Sequence, residues 1–299
     1  MRLSVGPIQY FWERERVLAF YEQVAQGPAD IVYLGETICS KRRLVRLADW
    51  LAIGRRLVSC GKEVVLSTLA LMESASEVGF AKKLCANGEF RVEANDVTAI
   101  QLLSAAGAEF VTGPGVNIYN HRTLRLLAAK GMRRWVLPVE LGLSVLADLQ
   151  AARPPGVETE VLALGRLPLA YSARCYTARS HNLPKDDCQF KCLEYPDGRL
   201  LKTREDQDFL VLNGVQTQSA LTHTALRRVP DLAELGVDVL RISPQHLGSP
   251  RIIEIFDAAR RGCDLDPLQQ ELLGLLPTGA CDGYLTEQPG MTHDDSQAA

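Results

Sequence analysis

Short apolar runs recur along this chain about every 25 to 30 residues, and helix-periodic stretches with a polar face fill the intervals. The runs are "RLSVGPI", "DIVYLGE", "EVVLSTL", "FRVEAND", "EFVTGPG", "RRWVLPVE", "TEVLALGRL" and, after a long gap, "DVLRISPQ". They are short and β-rich, as buried strands are. Between them lie "RERVLAFYEQVAQ", "KRRLVRLADWLAIGRRLVSCG", "SASEVGFAKKLCANG" and "HRTLRLLAAKG". Several of these end at a glycine, a common helix stop. Alternating strand and helix predicts a parallel sheet. Eight such units fit a TIM-type (β/α)8 barrel. An open doubly wound sheet is the alternative, because a strand count does not fix closure.

One interval breaks the rhythm. Residues 172–237, between the seventh and eighth runs, form an insertion too long for a simple connection, and segments of that kind are usually functional or disordered. It contains "CLEYPDGRLLKT", where Pro-Asp-Gly between strand-like arms predicts a hairpin. Residues 1–285 read as a single barrel-like domain that includes this insertion. Residues 286–299 read as a disordered tail.

Composition narrows the function classes. A formal charge of −3 gives no reason to expect a nucleic-acid groove or an anionic membrane partner. The N-terminus becomes charged too early for a signal peptide, and no apolar run approaches the roughly 20 residues of a membrane span. The chain therefore reads as cytoplasmic. That bears on its eight cysteines, since in a reducing compartment clustered cysteines are metal ligands or redox groups more often than disulfides.

Three of them, Cys175, Cys188 and Cys192, lie in the insertion with twelve and three residues between them. In a barrel, the loops after each strand open on one face, and the triad follows strand seven. Cys39, in "YLGETICSKRR", follows strand two on the same face, three steps away around a ring of eight. It is the best candidate for a fourth ligand. Cys60, Cys85, Cys263 and Cys281 read as packed or surface thiols. Four thiolates hold zinc or an iron–sulfur cluster. Structural zinc favours tight pairs, and only Cys188 and Cys192 approach one, so the spacing leans toward a cluster and leaves zinc and no metal open. Lys41, Arg42, Arg43 and Arg174 are cations close in sequence to these cysteines, although "KRR" also fits a solvated helix face. His181 lies within the triad and could replace a cysteine as ligand, although a lone polar residue in a loop reads first as exposed. Glu36, Glu93 and Glu140 sit at strand ends, where three carboxylates at one mouth would make a polar site. "TGPGVNIYN" is glycine-rich before a helix and would admit an anion, but it lacks the dinucleotide and Walker patterns.

"EVLALGRLPLAYSARC", Glu160 to Cys175, resembles the signature segment of the collagenase-like peptidase family. That family includes peptidases, RNA-hydroxylation proteins and the ubiquinone-biosynthesis proteins UbiU and UbiV. Members typically carry a His-Gly step, a further cysteine and a Ser-Gly-x-Cys segment. Here the histidine position is Leu164, the first cysteine is Pro168 and the segment's glycine is Ala173. The lost cysteine leaves a ligand vacancy that Cys39 is available to fill. "YLGETICSKRR", "GKEVVLSTLAL", "LPLAYSARCYTARS", "PKDDC", "VLNGVQT" and "RISPQ" are similar to the UbiU/UbiV branch, nearly to Tyr284.

The resemblance implies a [4Fe–4S] cluster held by Cys39, Cys175, Cys188 and Cys192. It also implies a heterodimer with a UbiU-like protein, a UbiT-like lipid-binding protein in the same pathway, and oxygen-independent hydroxylation of the aromatic ring of ubiquinone precursors. Other branches of the family offer RNA base hydroxylation, which the near-neutral charge disfavours, and proteolysis. Against proteolysis stand the missing His-Glu-x-x-His and Gly-x-Ser-x-Gly motifs and the loss of the histidine at Leu164. The chain is thus expected to be a subunit of a hydroxylase, or its non-catalytic partner, and not a working protease.

Overall fold

The computed structural model describes residues 1–293. These hold twelve strands in one sheet system. Seven come first: β1 (Arg2–Val5), β2 (Ile31–Leu34), β3 (Glu63–Ser67), β4 (Arg91–Ala94), β5 (Phe110–Thr112), β6 (Met132–Val136) and β7 (Glu158–Tyr171). The insertion supplies β8 (Arg199–Lys202), β9 (Asp208–Asn213) and β10 (Gln216–Thr224). β11 (Val239–Ile242) and the short β12 (Ala280–Cys281) complete the set. β1 pairs in parallel with both β2 and β11, and β11 pairs in parallel with β7. The ring β1 to β7 plus β11 is therefore a closed parallel barrel of the TIM type, and the open-sheet alternative is excluded.

Helices α1 (Arg14–Gln26), α2 (Leu47–Ser59), α3 (Ala75–Cys85), α4 (Val97–Ala105), α5 (His121–Ala129), α6 (Leu143–Ala151), α8 (Val229–Glu234), α9 (Ser249–Arg260) and α10 (Leu265–Leu275) lie around the barrel, and the one-turn α7 (Tyr176–Arg179) belongs to the insertion at its mouth. Their starts follow capping chemistry. Ser74, Asp96, Asn120 and Asp264 each accept a backbone N–H of the first turn through the side chain. α2 begins six residues later than the pattern suggests, because Lys41 and Arg42 are drawn into contacts across the barrel mouth before the helix starts.

Alternation along the strands builds two cores. Val32, Leu34, Val64 and Leu66 face outward into the large helix-covered core, while Ile31, Tyr33, Val65, Val111 and Val239 cluster inside the barrel. The interior also holds charge. Arg241 pairs with Glu93 and Glu160, each at 2.8 Å, and Arg134 pairs with Glu63 at 2.9 Å and Glu158 at 2.8 Å.

β7 belongs to two layers. Its first half lies in the barrel, and its second half runs on and pairs antiparallel with β10, followed by β9 and β8. The strand leaves the barrel at Gly165, whose φ of +145° and close approach to Ser243 (a Cβ would sit 2.5 Å from that of Ser243) leave room only for glycine. The insertion is thus an antiparallel apron standing on the face where the barrel strands end. Its hairpin is not at Pro196-Asp197-Gly198. Residues before that turn form a short 3-10 helix, Lys191–Glu194, and β8 instead pairs with β9 across residues 203–207. The Pro-Asp-Gly turn is an anchor: its carbonyls accept from Trp12 Nε1 and Arg166 Nη1, and the Asp197 carboxylate accepts His246 N.

Residues 286–293, assigned above to the tail, pack back on the barrel. Glu287 Oε1 accepts Ser144 N at 3.0 Å, and Gly283 N donates to Thr292 O at 3.1 Å. Residues 294–299 lie outside the described residues. No helix among the described residues is long and apolar enough to cross a membrane.

Candidate metal centre

The structure brings Cys39, Cys175, Cys188 and Cys192 to the wall of one pocket at the barrel mouth. Lys41, Arg42, Thr177, Phe190 and Gly214 complete most of the lining, around about 320 Å³ of empty space partly open to solvent. The other four cysteines are absent from it. Cys60 and Cys85 lie at the C-terminal ends of α2 and α3, Cys263 is exposed beyond α9, and Cys281 is buried in β12. Among the described residues, no three His, Cys, Asp or Glu side chains close on a single point as they would around one bound ion. The four thiols share a pocket rather than a point.

Each ligand loop is held by a separate device. The turn after β2 folds over Glu36, whose Oε1 accepts Ile38 N at 2.8 Å and Cys39 N at 3.0 Å. Burial raises the Glu36 pKa, opposed by Arg42 and by these two N–H groups. Cys175 caps α7, its Sγ accepting Ala178 N at 3.4 Å. Tyr176 N donates to Gly214 O at 2.7 Å, and Gly214 N donates to Thr177 Oγ1 at 2.9 Å, so Cys175 is pinned to the turn between β9 and β10. Between Cys188 and Cys192 the chain reverses through Gln189 and Phe190, both left-handed at φ 49° and 51°. Two consecutive non-glycine residues in that region cost roughly 1–2 kcal/mol each. The Phe190 ring recovers part of this against Phe11, 5.9 Å between centroids. Lys41 Nζ ties the first loop to the third, donating to Lys185 O at 2.8 Å and to Asp186 Oδ1 at 3.2 Å.

Electrostatically, two of the pocket thiols, Cys39 and Cys192, are pushed toward the protonated form. Burial pushes Cys39 up to about 11, with Arg42 and the Lys41 N–H pulling the other way. Burial also raises Cys192, again opposed by Arg42. A metal group binding here would displace those protons and would bind more tightly as pH rises. The donor set fits such a group. Cys175 Sγ already receives the Ala178 N–H and Cys39 the Lys41 N–H, and Arg42 carries a buried Nε with no hydrogen-bond partner. That guanidinium is near enough to Cys192 to stabilise its thiolate.

The other sequence candidates are placed differently. Arg42 is not on a solvated helix face: it is buried, donating to Gln9 O at 2.7 Å and Asn213 Oδ1 at 2.8 Å. Arg43 and Arg174 are exposed and do not line the pocket. His181 is half-buried, with Nε2 3.1 Å from Tyr195 Oη, and also stays outside it. The three carboxylates do not converge. Glu36 lies 3.8 Å from Arg42, Glu93 is buried on Arg241, and exposed Glu140 accepts from Tyr119 Oη at 2.8 Å. At "TGPGVNIYN" the first N–H groups of α5 are taken by Asn120 Oδ1, so no anion is needed there. Asn213 and Gly214 went unread as site residues, although "VLNGVQT" carries the Asn-Gly pair that marks a tight hairpin.

Fold and site together define a closed (β/α)8 barrel with a four-cysteine pocket built between the strand-two loop and a strand-seven insertion. The chain belongs to peptidase family U32, whose family model matches residues 16–294. Among solved structures, 3-hexulose-6-phosphate synthase from Salmonella typhimurium is similar at 15% identity, covering 87% of this chain and 100% of that one, with a TM-score of 0.46. Dihydropteroate synthase from Thermus thermophilus is similar at 15% identity, covering 86% and 93%, with a TM-score of 0.42. N-acetylneuraminate lyase from Fusobacterium nucleatum is similar at 10% identity, covering 89% and 78%, with a TM-score of 0.44.

Proposed function

We propose that this chain is an iron–sulfur protein of the UbiV type, acting in the cytoplasm with a UbiU-like partner in oxygen-independent hydroxylation of the aromatic ring of ubiquinone precursors. A UbiT-like lipid-binding protein would serve the same pathway. The observation that carries the reading is the shared pocket. Of eight cysteines, the four that the branch resemblance singles out are the four that line it. Membership in the family supports the reading further. Cys39, Cys175, Cys188 and Cys192 would hold a [4Fe–4S] cluster, which when bound supplies one-electron chemistry. The chain's own residues shape that site. Glu36 fixes the Cys39 loop, Lys41 fastens it to the Cys188 loop, and Thr177 with Gly214 seats Cys175.

The test is iron and acid-labile sulfide per chain after anaerobic reconstitution, with optical and EPR spectra, for wild type and Cys39→Ala. About four of each per wild-type chain, with the cluster lost or degraded in the variant, is the expected result for a four-thiolate cluster. Stoichiometric zinc, or a cluster indifferent to Cys39, overturns the ligand assignment and with it the functional reading.

A further inference from the structure

Arg42 is placed unlike any other cation near the cysteines. Its side chain is 1% exposed, yet the closest carboxylate, Glu36, is 3.8 Å away, beyond hydrogen-bond reach. Two of its nitrogens are spent on neutral acceptors, Gln9 O and Asn213 Oδ1. The Nε has no partner. A buried guanidinium held by one long ion pair to Glu36, a ring contact with Phe11 and two neutral acceptors still has room for a second anion beside its free Nε. The pocket wall that Arg42 shares with Cys39 and Cys192 is where that anion would form, because thiolates bound to a metal group are negative. Lys41, by contrast, is spent on Asp186 and a backbone carbonyl, and Arg43 points its Nε at Ser40 O on the exposed side.

The geometry points to Arg42 as the fixed counter-cation of the four-cysteine site, a positioning residue that sets the reduction potential of the group bound there. This rests on the cluster reading given above. The physical consequence has a definite sign. Reduction adds an electron to an already anionic group, and a buried positive charge beside it favours the reduced form. Removing the charge therefore lowers the midpoint potential. Arg42 also joins the loop after β1 to the β9–β10 turn, so a loss of stability alone would not distinguish a charge role from a scaffolding one.

The experiment is a dye-mediated, EPR-monitored redox titration of reconstituted wild type, Arg42→Gln, Arg42→Lys and Asn213→Ala. Arg42→Gln is expected to titrate at a lower potential than wild type. Arg42→Lys, which keeps the charge without the planar fork, is expected to stay near wild type. Asn213→Ala, which loosens the same fork and leaves the charge, is expected to lower thermal stability with the potential unmoved. An Arg42→Gln midpoint equal to wild type, or an Asn213→Ala shift as large as that of Arg42→Gln, overturns the inference. Where Arg42→Gln does not fold, Arg42→Met serves as the charge-removing variant: a midpoint below that of Arg42→Lys supports the charge role, and one equal to it overturns the inference. A wild-type chain that takes up no cluster overturns the functional reading and this inference together. A loaded wild type with an unmoved Arg42→Gln overturns this inference alone.

Discussion

At the scale of single residues, His223 is the clearest source of pH dependence. It lies buried on β10 with Nε2 3.1 Å from Leu162 O and Nδ1 without a partner. Burial holds its pKa down at about 4, with the Leu162 carbonyl and Asp282 opposing. The unfolded chain protonates it near 6.5, so between these values the unfolded state binds more protons. Stability is unaffected by this group above about 6.5. It falls as the pH drops toward 4, by a total on the order of 3 kcal/mol. Urea unfolding at several pH values should give a steeper acid-side loss for wild type than for His223→Gln, and parallel curves would refute the assignment. The same scale shows what the sequence discloses and what it hides. Cys39 is legible because a strand-end position fixes its face of the barrel. Arg42 is not, because its neighbours Lys41 and Arg43 are half-buried and exposed, and only the register of the insertion against the loop after β1 buries the residue between them.

At the scale of elements, the insertion works through one turn. Gly214 adopts φ +64° between β9 and β10, where an added Cβ would lie 3.0 Å from Arg42 Nη2 and 3.4 Å from Ile38 Cγ2. A side chain at that φ costs roughly 1–2 kcal/mol before any clash. Gly214→Val should therefore lower unfolding stability by at least that amount and, by displacing Tyr176 and Thr177, cut iron retention after reconstitution. A variant with wild-type iron content would show that the turn does not seat Cys175. The barrel strands were legible as apolar runs because both their faces are covered. β8 and β9 are half-exposed and carry a weaker signal, so the Pro-Asp-Gly turn outweighs them in the sequence and puts the hairpin one arm too early. α1 and α5 match their patterns because each shows a single apolar stripe, whereas α9 buries Ile252, Ile253, Ile255 and Phe256 on several sides and lacks one.

At the scale of the whole molecule, the barrel is held from within by charge as well as by packing. Glu160 accepts from Arg241 at 2.8 Å, from Ser4 Oγ at 2.6 Å and from Tyr33 Oη at 2.5 Å, joining strands β1, β2, β7 and β11. Arg241 stacks on the Tyr33 ring, 4.1 Å from its centroid, and reaches across to Glu93 on β4. Burial works against the ionised Glu160, but Arg241 and Arg134 outweigh it and lower its pKa. Little of this is legible in "FRVEAND" or "DVLRISPQ": Glu93 reads there as a strand-end carboxylate of the barrel mouth, and nothing marks Arg241 as its partner. In a closed barrel the alternate side of a strand faces inward. Breaking such a pair from one side leaves the other charge buried without a partner, at about 3–5 kcal/mol. Arg241→Met should lose about that much in urea denaturation, since Glu93 loses its ion pair and Glu160 is left with only the more distant Arg134. The double variant Arg241→Met with Glu160→Gln should recover part of the loss despite carrying one more substitution, because one of the two carboxylates is then neutral. A double variant less stable than Arg241→Met would mean that the arginine acts through its packing on Tyr33, and that the interior charges contribute little beyond filling space.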